Sequence, residues 1–156
     1  MSLKSHQLVI DQRAFKGKGA EATGRVARSM CHAVLETARA LVADAAKTAR
    51  HLPYQIKLDA RTKDGARYFV VRWLHGGRSV VWHDIQHDRT LAPHVLGLLS
   101  AYNTELEELV ALQSTLRAVV AATDRLGKVH RGETYNSLSK GPGAGGKRAA
   151  RTANES

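Results

Sequence analysis

The stretch that decides the fold is Tyr54–Ile85, which reads YQIKLDARTKDGARYFVVRWLHGGRSVVWHDI. Apolar and polar residues alternate on either side of KDG (Lys63–Gly65) and of the bare pair Gly76-Gly77, the signature of two consecutive β-hairpins. With Gly76-Gly77 as a two-residue turn, His75 faces Arg78, Trp73 faces Val80 and Val71 faces Trp82. With Thr62–Gly65 as a four-residue loop, Leu58 faces Phe69, Ile56 faces Val71 and Tyr54 faces Trp73. Both hairpins then place Tyr54, Ile56, Leu58, Phe69, Val71, Trp73, Val80 and Trp82 on one side of a three-stranded antiparallel meander. A slip of one residue in either hairpin breaks that agreement, because side chains alternate with a period of two.

A long amphipathic helix is expected on each side of the meander. The first begins at Ala20 to Thr23 and runs to His51, where Leu52-Pro53 stops it. Its stripe is Val26, Met30, Val34, Ala38, Leu41, Ala45 and Ala49, widened by Leu35 and Val42. The second is expected to take Asp88 or Thr90 as its cap, to carry Pro93 in its first turn and to end at Gly127. Val95, Leu98, Leu99, Tyr102, Leu106, Leu109, Leu112, Leu116, Val119, Val120 and Leu126 form its stripe. The predicted class is α+β, αβββα, with both helices packed on the aromatic face of the sheet. Helices of about 32 and 37 residues span ~48–55 Å, whereas strands of about eight residues span ~27 Å. The overhang therefore has to bury its stripe against the other helix or in a homodimer.

The domain boundaries follow from composition. Residues 20–127 form the α+β domain, residues 1–19 a flexible basic arm ending in KGKG, and residues 128–156 a disordered, basic, Gly-rich tail. The apolar run at Leu8-Val9-Ile10 has the composition of a short edge strand. Of the formal charge of +10, seven units lie outside residues 21–127. Basic tails of this kind attract polyanions without reading sequence.

The 156-residue length suits one domain with tails, and the single cysteine, Cys31, excludes an internal disulfide framework. The opening MSLKSHQLVIDQ has only a three-residue apolar run, and no run approaches the ~20 residues of a membrane span. A cytoplasmic chain with no membrane partner is expected.

Few residues suggest chemistry. Gly141-Pro142-Gly143-Ala144-Gly145-Gly146-Lys147 matches half of a phosphate-binding loop, but Arg148 stands where Ser or Thr must hold magnesium, and no strand precedes it. His83, His87 and His94 lie near Asp84 and Asp88. With His83 on a strand and His87 in the connection, their spacing lacks the helical meaning a metal pair needs. Cys31 and His32 point ~100° apart around a helix, which excludes a nucleophile–base pair. Glu105, Glu107 and Glu108 read as a solvated helix face. No catalytic residue, cofactor or metal is expected, and the chain is read as non-enzymatic.

The outer face of the sheet is the candidate binding surface. By the register above it carries Gln55, Lys57, Asp59, Arg61, Tyr68, Val70, Arg72, Leu74, Ser79, Val81 and His83, with Lys57 opposite Val70, Gln55 opposite Arg72 and Tyr68 opposite Asp59. Lys57, Arg61 and Arg72 around Tyr68 are suited to phosphates and a base. Lys16 and Lys18 in the arm and Lys147, Arg148 and Arg151 in the tail extend the same charge. Val70, Leu74 and Val81 make the face equally suited to a protein contact.

FKGKG (Phe15–Gly19), YFVVRW (Tyr68–Trp73), VVWHDI (Val80–Ile85) and the helix segment with Tyr102, Asn103 and Glu105 together cover roughly residues 13–126. In these the chain resembles an uncharacterised family of small proteins encoded on bacterial integrative and conjugative elements, some of them labelled integrase regulators. The family defines no catalytic or binding residues to carry over. The resemblance implies a mobile-element context, in which a DNA-contacting accessory or regulatory protein is expected. The alternative expectation is a homodimeric helical interaction module whose basic tails bind no nucleic acid specifically.

Overall fold

The computed structural model describes residues 19–131. Helix α1 (Ala20–Thr48) is followed by strands β1 (Tyr54–Lys63), β2 (Ala66–His75) and β3 (Arg78–Val80), a short helix α2 (Trp82–Gln86) and the long helix α3 (Pro93–His130). The strands form one antiparallel sheet in the order β1-β2-β3. α1 lies across β1 and β2, and α3 packs along α1 and reaches β2. The expected helix–meander–helix architecture is thus observed, with one element added and one register changed.

The change of register lies in the first hairpin. Asp64 and Gly65 both take positive φ, 53° and 71°, so they form a two-residue turn with the strands running up to it at Lys63 and Ala66. This is the Asp-Gly hairpin chemistry in which both central residues sit in the left-handed region. Leu58 therefore faces Val71, Ile56 faces Trp73 and Tyr54 faces His75, two residues away from the four-residue-loop register. A shift of two preserves every face. On the outer side Lys57 stands opposite Arg72, Gln55 opposite Leu74 and Tyr68 opposite Arg61, replacing the expected pairs. The second hairpin has the expected register, Trp73 opposite Val80 and His75 opposite Arg78.

The added element is α2. The strand expected through Trp82 stops at Val80, and the chain turns into a helix at Trp82. Burial explains the choice. In a continued strand Ile85 has the parity of Val81 and His83 and faces outward; in α2 it is fully buried. Trp82 loses nothing by the turn, because its ring still lies 5.3 Å from that of Trp73. His83 and Val81 leave the outer strand face as a result, and Val81 is 62 % exposed.

The core joins Ala27, Cys31, Val34, Leu35, Ala38 and Leu41 of α1 to Phe69 and Trp73 of the sheet and to Leu99, Tyr102, Leu106, Leu116 and Val120 of α3. Ile56, Leu58, Val71 and Val80 are half-buried against it, as their assignment to the covered face requires. Much of the α3 stripe that overshoots the sheet is buried within the chain: Leu116 and Val120 belong to this core, while Leu126 is 50 % exposed. Gly24 of α1 permits the close approach, since a Cβ there would stand 2.7 Å from Thr123 Oγ1 of α3.

The helix ends differ from expectation in detail. Neither Asp88 nor Thr90 caps α3; Ala92 holds that position without a side-chain bond, and Pro93 opens the helix. Asp88 instead accepts from the Thr90 amide and hydroxyl and, at 2.6 Å, from the Tyr54 hydroxyl. α3 runs past Gly127 to His130, so the first residues assigned to the tail are helical. The remainder of the tail, with Lys147, Arg148 and Arg151, lies outside the described residues, as does nearly all of the arm, with Lys16 and Lys18.

Candidate nucleic-acid interface

The outer face of the hairpin brings Lys57, Arg61, Tyr68 and Arg72 onto one surface. In the observed register Lys57 is paired with Arg72 and Arg61 with Tyr68. Two like charges directly opposite destabilise a sheet. Asp59, two residues along from Lys57 on the same face, resolves the conflict: its carboxylate accepts from Arg72 and lies 3.6 Å from Lys57 Nζ. The Arg72 guanidinium holds the Asp59 carboxyl below the usual carboxylate range. Lys57 and Arg72 are consequently part-neutralised in place. Among the described residues no ion pair engages Arg61.

Tyr68 has a partner that the sequence did not disclose. The guanidinium of Arg117, on α3, stacks over its ring at 4.0 Å from the centroid. The path of α3 makes this possible. β3 covers only Trp73 to His75 of β2, which leaves the edge of β2 open further along. α3 fills that gap with Gln113, whose amide accepts from Phe69 N–H at 2.9 Å and donates to Phe69 C=O at 2.8 Å. Arg117, one helical turn later, then passes over the edge onto the outer face. The cationic surface is therefore Lys57, Arg61, Arg72 and Arg117, with the exposed Lys63 beside them. Tyr68 offers one ring face to Arg117, which leaves only the other face open to a stacking partner. Val70 and Leu74 are half-buried between these charges.

A second concave region, of about 740 Å³, lies where the start of α1 meets the end of α3 and the tip of the first hairpin. Its lining includes Gly19, Glu21, Arg28, Asp64, Asp124, Arg125 and Lys128. Arg28 is committed there, to Asp124 at 2.5 Å and to the Asp64 carbonyl at 3.4 Å.

The residues weighed for catalysis and metal are arranged as follows. Cys31 is buried, and burial pushes its thiol up. His83 and His87 stand in and at the end of α2, with ring centroids 4.2 Å apart and His87 Nδ1 on the His83 carbonyl. Their spacing is helical, contrary to the strand-and-connection expectation, because α2 replaces the strand exit. Among the described residues no group of three His, Cys, Asp or Glu converges on one point, and no helix is long and apolar enough to cross a membrane.

Comparison with protein families, with curated proteins and with solved structures finds no match to this chain.

Proposed function

We propose that this chain is a non-enzymatic accessory or regulatory protein of a bacterial mobile element that contacts DNA mainly through charge. The observation that carries the reading is the cluster of Lys57, Arg61, Arg72 and Arg117 around Tyr68 on one uncovered sheet face. The mobile-element context comes from the sequence resemblance. The face supplies a fixed cationic surface, and the segments outside residues 19–131 carry five of the ten net units. Such a protein neutralises phosphates and releases counterions, with little discrimination between sequences. The competing reading, a homodimer closed by the long helices, has less to stand on, since Leu116 and Val120 are already buried in the core of a single chain.

The test is duplex binding as a function of salt. Affinity of the full chain falls steeply with ionic strength, because each neutralised phosphate releases counterions. Deleting 1–19 and 132–156 weakens binding strongly, and replacing Lys57, Arg61 and Arg72 by Ala in that shortened chain removes a further, smaller component. Absence of salt-sensitive binding to any duplex or single strand near physiological ionic strength sinks the reading.

A further inference from the structure

The two edges of the sheet are finished differently. On the β2 side β3 covers one end, and Gln113 takes the N–H and C=O of Phe69. Because those Phe69 groups point away from β1, the residue opposite, Ala60, points its own backbone groups away from β2. By the period of two, Ile56 and Leu58 do the same. β1 is ten residues long, and among the described residues no hydrogen bond reaches the outward N–H and C=O of Ile56, Leu58 or Ala60. An edge of that length is a template for another strand.

We propose that β1 pairs antiparallel with β1 of a second copy of this chain, about a two-fold axis at Leu58, to give one continuous sheet of six strands. Two constraints select this register. Only residues whose backbone groups face outward form hydrogen-bonded pairs across the new seam, so Ile56, Leu58 and Ala60 must meet members of the same set. Among such registers, the axis at Leu58 sets Lys57 against Asp59 of the second copy and Gln55 against Arg61. Moving the axis toward Ile56 sets Lys57 against Lys57. Moving it toward Ala60 sets Asp59 against Asp59 and Lys57 against Arg61. Moving it on to Ala60 sets Asp59 against Arg61 but Lys57 against Lys63. Only the Leu58 register places opposite charges across the seam with no like pair, and a two-fold axis repeats that pair on both sides. The interface is independent of DNA contact, since the outer faces of both sheets stay uncovered.

The test uses the full chain, by sedimentation equilibrium over a wide concentration range. The wild-type chain forms a concentration-dependent dimer. Ala60→Pro deletes an N–H that its own sheet does not use, from a residue already exposed on its inner side, so the chain still folds by circular dichroism. Its dimer dissociation constant rises about a hundredfold or more, as two hydrogen bonds about the axis are lost. Lys57→Asp and Asp59→Lys each set like charges across the seam and are monomeric alone. When the two variants are mixed, the carboxylate introduced at position 57 of one meets the ammonium introduced at position 59 of the other. On the far side of the axis the unaltered Asp59 of the first meets the unaltered Lys57 of the second, and a heterodimer forms. This mixing experiment decides the matter even where Ala60→Pro fails to fold. A wild-type monomer at every concentration, whether the edge is left bare or taken by residues 8–10 of the same chain, overturns the proposal. So does a dimer indifferent to Ala60→Pro, or two monomeric charge variants that stay monomeric when mixed.

Discussion

Gln113 closes a strand edge with a side chain, and its loss should be felt more than its small size suggests. Its amide satisfies a buried N–H and a buried C=O at once, on a side chain only 5 % exposed. Gln113→Leu keeps the volume but strands both Phe69 groups, at a cost of ~2–5 kcal/mol for two buried polar groups left unmade. Denaturant midpoints for Gln113→Leu beside the exposed control Gln86→Leu measure it. The Tyr54–Asp88 bond makes a pH prediction with two signs. Hydrogen bonding to Asp88, aided by burial, pushes the Tyr54 hydroxyl up to about 12. A raised value stabilises the fold fully below the unfolded value of ~10 and less as pH climbs through the folded one. Thr90 first, then Tyr54, hold the Asp88 carboxyl down. That contribution is present above the unfolded value of ~3.9 and is lost as pH falls through the lower folded one. Thermal melts of Tyr54→Phe should therefore track wild type more closely at both pH extremes than at neutrality. Tyr102 and Cys31, both pushed up by burial, titrate alike in the two proteins and cancel from the comparison.

At the scale of the element, the hairpins are legible where period alone decides and not where a turn or a helix competes. Tyr54, Phe69 and Trp73 fall on the buried face as their alternation dictates. The two-residue offset in the first hairpin arises because alternation is satisfied equally by a four-residue loop and by a two-residue turn, and Asp64-Gly65, the pair best suited to a double left-handed turn, selects the latter. α2 is hidden because VVWHDI alternates convincingly as a strand; only the demand to bury Ile85 argues otherwise, and that demand is tertiary. Gln113 and Arg117 are invisible for a related reason: a polar residue beside an apolar stripe carries no sign of the sheet edge it will meet. One measurement separates these layers. Trp73 is 6 % exposed and its Nε1–H donates to Asn103 Oδ1 at 2.9 Å. Trp73→Ala should cost ~3–5 kcal/mol and Ile85→Ala ~2–5 kcal/mol, whereas Val81→Thr should fall within the ~0.5 kcal/mol typical of surface changes. An Ile85→Ala as mild as Val81→Thr by chemical denaturation would show that the chain runs on as a strand there.

For the whole molecule, the question is whether its positive charge is available to a polyanion, and here charges of equal sign are not equivalent. Arg72 is spoken for by Asp59, and Lys57 is held near the same carboxylate. Arg61 faces Tyr68 across the strand pair and has no ion pair among the described residues. If phosphates rest on this face, Arg61→Ala should reduce the slope of log affinity against log salt by about one. Arg72→Ala should reduce it less, because Asp59 already part-neutralises the Arg72 charge and stays beside Lys57 once Arg72 is gone. Asp59→Asn should do the opposite of both, raising affinity by unmasking Lys57 and Arg72 at once. The ranking Asp59→Asn above wild type, then Arg72→Ala, then Arg61→Ala, is a pattern that tail charge alone cannot generate, since none of these residues lies in a tail. Equal affinities across the four proteins, titrated against one duplex at one ionic strength, would confine DNA contact to the segments outside 19–131 and leave the sheet face to a protein partner.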